Sequence, residues 1–329
     1  MFCIICRVLE VGQLEGVTSR GIVALRKLKS LKEFLFWFNN GYPEVTLGLV
    51  TMRQCLELLP HLHAIGYNPK PRSLLMQSTS IFMGAAMSKI KEPCTLQLRR
   101  LSISSIKHIP EHVSLPELQA LFQPDPFNQM HSLFAGRLPK LSELYLHETD
   151  EDTLLLVLGH VGQQLRALRF CVFGGMGNLL SDGLQLDRVL HACPNLCVLD
   201  ANTSMSPQCV SQLRPDTLQK LQTLQLYFSY SDYLQEGLIL QFLRLAPQLQ
   251  SIDLISVMFL DEDLMAWAEL AKEGTCMQQL QKIRMNLERR HVNEQGEHLL
   301  DELLVSCSIN CPRLQEFVVH GLHFVKFGQ

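Results

Sequence analysis

An internal repeat constrains this chain more than any single motif. Five segments align without gaps, beginning at Leu59, Leu138, Cys193, Ala246 and Cys311. Leu59-Pro60-His61-Leu62-His63-Ala64-Ile65-Gly66-Tyr67 gives the pattern: apolar-Pro-x-Leu-x-x-apolar-x-apolar. Five further segments keep the Leu-x-x-apolar-x-apolar core without the proline, around Phe34/Phe36, Leu101/Ile103, Leu168/Phe170, Leu224/Leu226 and Ile283/Met285. The apolar pair at every second position is the signature of a strand with one buried face.

Successive copies lie 24 to 43 residues apart, about 31 on average. Between them, Gly183 to Cys193, Gln235 to Ala246, Glu262 to Lys272 and Glu294 to Ser306 carry apolar residues at helical spacing. Thr149-Asp150, Ser181-Asp182, Asp261 and Asn293 precede such stretches as expected of helix N-termini. The recurring proline then prevents the helix from continuing and leads into the next strand. Each unit is too small to bury its own apolar edge, so the units must stack. With 61 leucines in 329 residues, the period and strand pattern fit the longer leucine-rich repeats. The fold expected is an α/β solenoid or horseshoe, with a concave parallel sheet, outer helices and about ten irregular repeats. A single domain over residues 1–329 follows. Residues 69–139 form its loop-rich section, holding eight of the fifteen prolines, and residues 321–329 a C-terminal cap.

Composition excludes several classes. Lys plus Arg is 29 and Asp plus Glu is 32, a formal charge of −3. Sequence-independent nucleic-acid binding needs clustered cations that displace counterions, so no nucleic-acid partner is expected. A 47% hydrophobic chain is not a disordered one. No apolar run approaches the roughly 18–20 residues of a membrane helix, so no membrane partner is expected. Eleven scattered cysteines read as reduced thiols in the cytoplasm or nucleus. The opening Met1 to Cys6 is apolar and broken by Arg7 and Glu10, unlike a signal peptide. It reads as starting within an element, so a natural start upstream is expected.

No catalytic set emerges, and no cofactor is expected. Cys3-x-x-Cys6 has two of the four ligands of a structural zinc site, and the next cysteine is Cys55. Apolar packing is the plainer reading, and it extends to Cys193/Cys197 and Cys307/Cys311. In His108-Ile109-Pro110-Glu111-His112 the proline breaks the helix that would put both rings on one face. His320-Gly321-Leu322-His323 has no paired carboxylate and reads as terminal-repeat surface. Gly174-Gly175-Met176-Gly177 lacks the Lys-Ser/Thr of a phosphate loop. Lys282, Arg284, Arg289, Arg290 and His291 form one modest basic patch, read as a solvated repeat edge.

If the apolar pair of each strand faces the core, the residues beside it face outward on the concave sheet. This nominates Trp37, Tyr145, His147, Arg169, Asp200, Asn202, Gln225, Tyr227, Asp253, Arg284 and Asn286 as a protein-binding row, with Tyr and Arg of the types that dominate interfaces. Cys193-Pro194-Asn195-Leu196 and Cys311-Pro312-Arg313-Leu314 close their helices with a Cys-Pro-x-Leu step. In this the chain, from about Gly16 to Val319, resembles the leucine-rich repeat region of F-box proteins, within the ribonuclease-inhibitor-like superfamily. The resemblance implies a non-catalytic interaction module, the substrate-recognising part of an SCF-type ubiquitin ligase. The alternative is an adaptor or scaffold without a ligase link. The F-box itself is not in this chain, and a cullin-linked adaptor is implied only where one precedes the repeats.

Overall fold

The structure is a computed structural model. It describes residues 6–13, 19–37, 45–65, 83–103, 109–123, 138–172, 185–203, 216–228, 237–257, 261–287, 294–320 and 323–326. It divides into two compact units, 1–147 and 148–329.

In the first unit, β1 (Val8–Gln13), β2 (Glu33–Trp37) and β3 (Ala64–Ile65) form a parallel sheet with Leu9, Phe34 and Ile65 in register. Two short strands, β4 (Cys94–Thr95) and β6 (Val113–Ser114), pair with each other. A further parallel run joins β5 (Arg100–Ser102), β7 (Ala120–Gln123) and β8 (Glu143–Thr149), with Leu101, Leu121 and Leu144 in register.

The second unit is the regular one. Six strands run parallel in chain order: β9 (Ala167–Val172), β10 (Val198–Thr203), β11 (Thr223–Phe228), β12 (Ser251–Val257), β13 (Lys282–Leu287) and β14 (Glu316–His320). A seventh, β15 (His323–Lys326), lies antiparallel on β14. Two apolar rows cross this sheet, Leu168–Leu199–Leu224–Ile252–Ile283–Phe317 and Phe170–Ala201–Leu226–Leu254–Met285–Val319, none more than 2% exposed. Burying each such large side chain contributes about 1.5–3 kcal/mol before the entropy of ordering is subtracted. These are the positions that the alternation assigned to the core. A mixed α/β leucine-rich repeat fold with a large parallel sheet and no closed barrel is thereby established.

The repeated motif has a backbone meaning. In every proline-bearing copy the leucine N–H donates to the carbonyl three residues back: Leu62 to Leu59, Leu141 to Leu138, Leu196 to Cys193, Leu249 to Ala246 and Leu314 to Cys311, at 3.0–3.2 Å. This is a β-turn with proline at its second position, where the fixed φ fits and no N–H is required. Its two ends, an apolar residue and a leucine, both drop into the core. Immediately after the leucine, one carbonyl accepts two N–H groups from the following turn. Arg166 O accepts from Cys197 and Val198, Cys197 O from Gln222 and Thr223, and Gln222 O from Gln250 and Ser251. Gln250 O and Gln281 O continue the series, and Arg7, Lys32, His63, Arg99 and Gln119 do the same in the first unit.

The structure adds two turns to the ten counted from the sequence. One is β1. The other is β7, which divides the 43-residue step between Leu101 and Leu144. Its turn, Leu115-Pro116-Glu117-Leu118, carries the motif, and Leu118 N donates to Leu115 O. The second apolar strand position is Gln123, so the full pattern failed there. The loop-rich section therefore contains a regular turn; its residues 69–82, 104–108 and 124–137 lie outside the described ones.

Parallel strands require crossover connections, and helices are described in several of them. Over the last three steps of the second unit the connecting helix grows from Leu238–Leu245 to Asp261–Glu273 to Glu294–Asn310. Added residues are thus absorbed in the outer helices while the strand register is kept. Helix Glu151–Val161 is capped as expected by Asp150, whose Oδ1 accepts from Thr153 N at 2.8 Å. Helix Leu186–Ala192 begins at Gln185 without a side-chain cap, and Asp261 is the first helical residue rather than a cap. Ser181, Asp182 and Asn293 lie outside the described residues. Trp267, 1% exposed, donates its indole N–H to Met277 Sδ at 3.3 Å. That contact accompanies a left-handed Met277 (φ 62°), a conformation costing roughly 1–2 kcal/mol for a side chain of this kind.

Adjacent turns touch through backbone at Gly162. A Cβ there would stand 2.3 Å from Ala192 O, although the residue's own φ of −55° suits any amino acid. By helix propensity alone Gly162→Ala would stabilise by about 1 kcal/mol. We expect the opposite, a loss of about 1–3 kcal/mol from overpacking against an unyielding carbonyl. Urea denaturation would show it as a lower midpoint at unchanged slope; a stabilised variant would refute this packing.

Candidate protein-binding face

The face opposite the core rows is built by the same register. In the second unit Arg169, Asp200, Gln225, Asp253 and Arg284 stand side by side on five consecutive strands. At about 4.8 Å per strand the row spans roughly 19 Å. All five are half-buried. Two residues further along, Asn202, Tyr227 and Asn286 share a second row with Cys171 and Ile255. The β-strand period of two puts both rows on one side of the sheet.

Polar contacts order part of this surface. Gln225 Nε2 donates to Asp253 Oδ2 at 3.3 Å. Arg284 places Nε and Nη2 at 2.7 Å from Glu316 Oε1, and Lys282 Nζ lies 4.0 Å from Glu316 Oε2. Glu316 therefore offsets the described part of the basic patch; Arg289, Arg290 and His291 lie outside the described residues. A pair this exposed stabilises by about 0–1 kcal/mol, so its effect is chiefly to fix the Arg284 guanidinium. Sequence reasoning missed Glu316, although it sits one residue before the core Phe317 and the alternation rule would have found it.

The remaining nominees fall elsewhere. Tyr145 belongs to β8 in the first unit, opposite Phe122 of β7, with ring centroids 6.4 Å apart and planes inclined by 49°. Ala120 and Phe122, on the same side of those strands, are buried, and Tyr145 packs against them. This apolar cluster was not foreseen, because β7 was not. His147 in β8 and Trp37 in β2 occupy strand positions, but their side chains lie outside the described ones.

Several thiols behave as core, while Cys197, read from the sequence as packed, is half-exposed. Cys55, Cys193, Cys307 and Cys311 are buried, with no disulfide among the described cysteines. Burial pushes the Cys55 and Cys193 thiols up to about 12. Cys307 is likewise raised, first by donating its proton to the Cys311 sulfur and then by burial. Cys3 and His108 lie outside the described residues, while His112 Nε2 contacts Ile90 O at 3.0 Å. Among the described residues no group of three His, Cys, Asp or Glu is placed to hold a metal ion. No described helix is long and apolar enough to cross a membrane.

These features define a leucine-rich repeat type of fold with a polar strand face. No family model matches the sequence, and no curated protein matches it. Among solved structures, the leucine-rich repeat-containing protein LegL7 from Legionella pneumophila aligns over 90% of this chain and 89% of its own at 13% identity, TM-score 0.35. Rad7, from the yeast Rad7–Elc1 complex structure, aligns at 15% identity and TM-score 0.44, over 93% of this chain and 70% of that one.

The raised thiols make two expectations. Brief alkylation of the native protein should label the half-exposed Cys197 and Cys276 before Cys55, Cys193, Cys307 and Cys311. Mass spectrometry of the digest reads this directly, and early labelling of Cys193 would contradict its burial. Because the folded pKa of Cys55 and Cys193 lies above the ordinary 9.0, the stability they contribute is complete below pH 9 and is lost as pH rises toward about 12. Urea midpoints between pH 8 and pH 11 should fall, and fall less in a Cys55→Val variant.

Proposed function

We propose that this chain is a non-catalytic protein-interaction module that engages a partner through the concave strand face. The observation that carries this reading is the in-register row Arg169–Asp200–Gln225–Asp253–Arg284, held on paired strands whose backbone cannot rearrange cheaply. A pre-formed surface avoids the ordering cost that flexible loops incur on binding. Arg169 and Tyr227 are the anchor types, with Asp200, Asn202, Asp253 and Arg284 supplying polar pairing around them. Tyr145 and His147, in the first unit, are proposed as contacts of that unit's own strand face.

The finer reading is the substrate-recognising part of an SCF-type ubiquitin ligase. Its support is the Cys-Pro-x-Leu resemblance, in which Cys193 and Cys311 take the buried slot. In that reading the concave face holds the substrate and a cullin-linked adaptor docks on a separate F-box.

Proximity labelling with the full-length gene product tests both levels. The double variant Asp200→Lys with Asp253→Lys should lower recovery of the concave-face partner at least tenfold, with the melting temperature shifted by only a few degrees. Unchanged recovery would remove the concave row from consideration. Cullin adaptor among the labelled proteins, retained in the double variant, is expected for the ligase reading; its absence from the labelled set would leave the adaptor or scaffold function.

A further inference from the structure

The edge of the second unit where the strands begin carries chemistry that the concave reading does not use. The third residue of each β-turn and the first residue after the turn's leucine form two parallel rows there. The turn row reads Gln164, Asn195, Lys220 and Gln248, and the second row Arg166, Cys197 and Gln222. Together with the neighbouring Gln163 and Gln219 they line a groove of about 590 Å³, within the usual range of roughly 300–1,000 Å³ for binding clefts.

Three properties of the groove restrict what fits it. Among the described residues lining it, six carry carboxamides, two are cationic and none is acidic. The floor is rigid, because Arg166, Cys197 and Gln222 are the residues whose carbonyls each take two N–H groups from the next turn. The walls are partly braced as well: Asn195 Nδ2 donates to Gln163 O at 2.8 Å, and Lys220 Nζ donates to Asn195 Oδ1 at 2.5 Å. Lys220 is thus held at the groove by a neutral partner, and no ion pair to a described carboxylate is formed there.

We propose that this groove binds an acidic peptide segment of a partner protein. Carboxamides offer both a donor pair and an acceptor, which matches the N–H and C=O that an extended backbone presents at each residue. Arg166 and Lys220 lie two strands apart, about 9.5 Å along the edge. Two carboxylates on one face of an extended chain, roughly 7 Å apart, fall within reach of these two flexible side chains. Nucleic acid fits less well: no aromatic ring lines the groove for base stacking, and two cations neutralise few phosphates. Phosphate recognition favours clustered guanidinium forks, and a single arginine is present. The proposal goes beyond the concave face and does not depend on it.

The test is fluorescence anisotropy of a labelled, N-acetylated hexaglutamate peptide titrated with the whole chain. Binding is expected, and Arg166→Glu with Lys220→Glu should weaken it at least tenfold. A charge-matched reversal elsewhere, Lys89→Glu with Lys91→Glu, should change it less than twofold. Gln222→Leu keeps the charge and should weaken binding several-fold, which separates amide recognition from bulk electrostatics. Thermal melts by circular dichroism check that each variant folds. Absence of binding at millimolar peptide would overturn the proposal, as would equal losses in both reversals. Tenfold tighter binding of a phosphoserine hexapeptide would overturn the carboxylate assignment. Tighter binding of a uridine hexanucleotide would overturn the peptide assignment. Because no concave-face partner is present in the titration, failure here leaves the concave-face reading standing.

Discussion

Each repeat of this protein hangs on one carbonyl. Within each unit's parallel runs, the peptide oxygen just after the turn receives two N–H groups from the next turn, so the next strand begins at a fixed position relative to the last. The pairing satisfies backbone groups that would otherwise be buried without partners, a loss of about 1–3 kcal/mol for each group left unmet. It also sets the register, and register decides which side chains reach the core. A slip of one residue would send Leu199 to solvent and Asp200 inside. The polar row is therefore a by-product of how the core is built.

Much of this architecture could be read from the sequence, for physical reasons that can be named. The apolar pair two residues apart marks a strand with one buried face, and the Pro-x-Leu step marks the turn before it. Both are local and both are written in residue types that few other structures require. Where a local sign was missing, the reading failed. Gln123 occupies the second apolar position of β7, and the turn at Leu115-Pro116-Glu117-Leu118 went uncounted although it closes as its siblings do. Helix ends were less legible, because Gln185 opens a helix without a side-chain capping bond.

The candidate surface was legible in its positions and not in its interactions. Alternation placed Asp200, Gln225, Asp253 and Arg284 on one side, yet nothing local connects Arg284 to Glu316, 32 residues later. Such cross-repeat pairs depend on repeat length as well as register. The groove at the strand-beginning edge was missed for a related reason. Its residues occupy the variable positions of the turn motif, which a search for constant ones discards.

The antiparallel strand β15 has a consequence for solubility. A stack of parallel strands has a free rim at each end, and an unpaired rim can recruit a second chain in the manner of a growing fibre. By folding back along β14, with Glu316 opposite Lys326 and Val319 opposite His323, β15 occupies that rim. The described strand is four residues long and ends in a lysine, and short edges carrying Lys are among the features that discourage pairing with a further chain. The reversal of a single strand thus limits the protein's tendency to add copies of itself end to end.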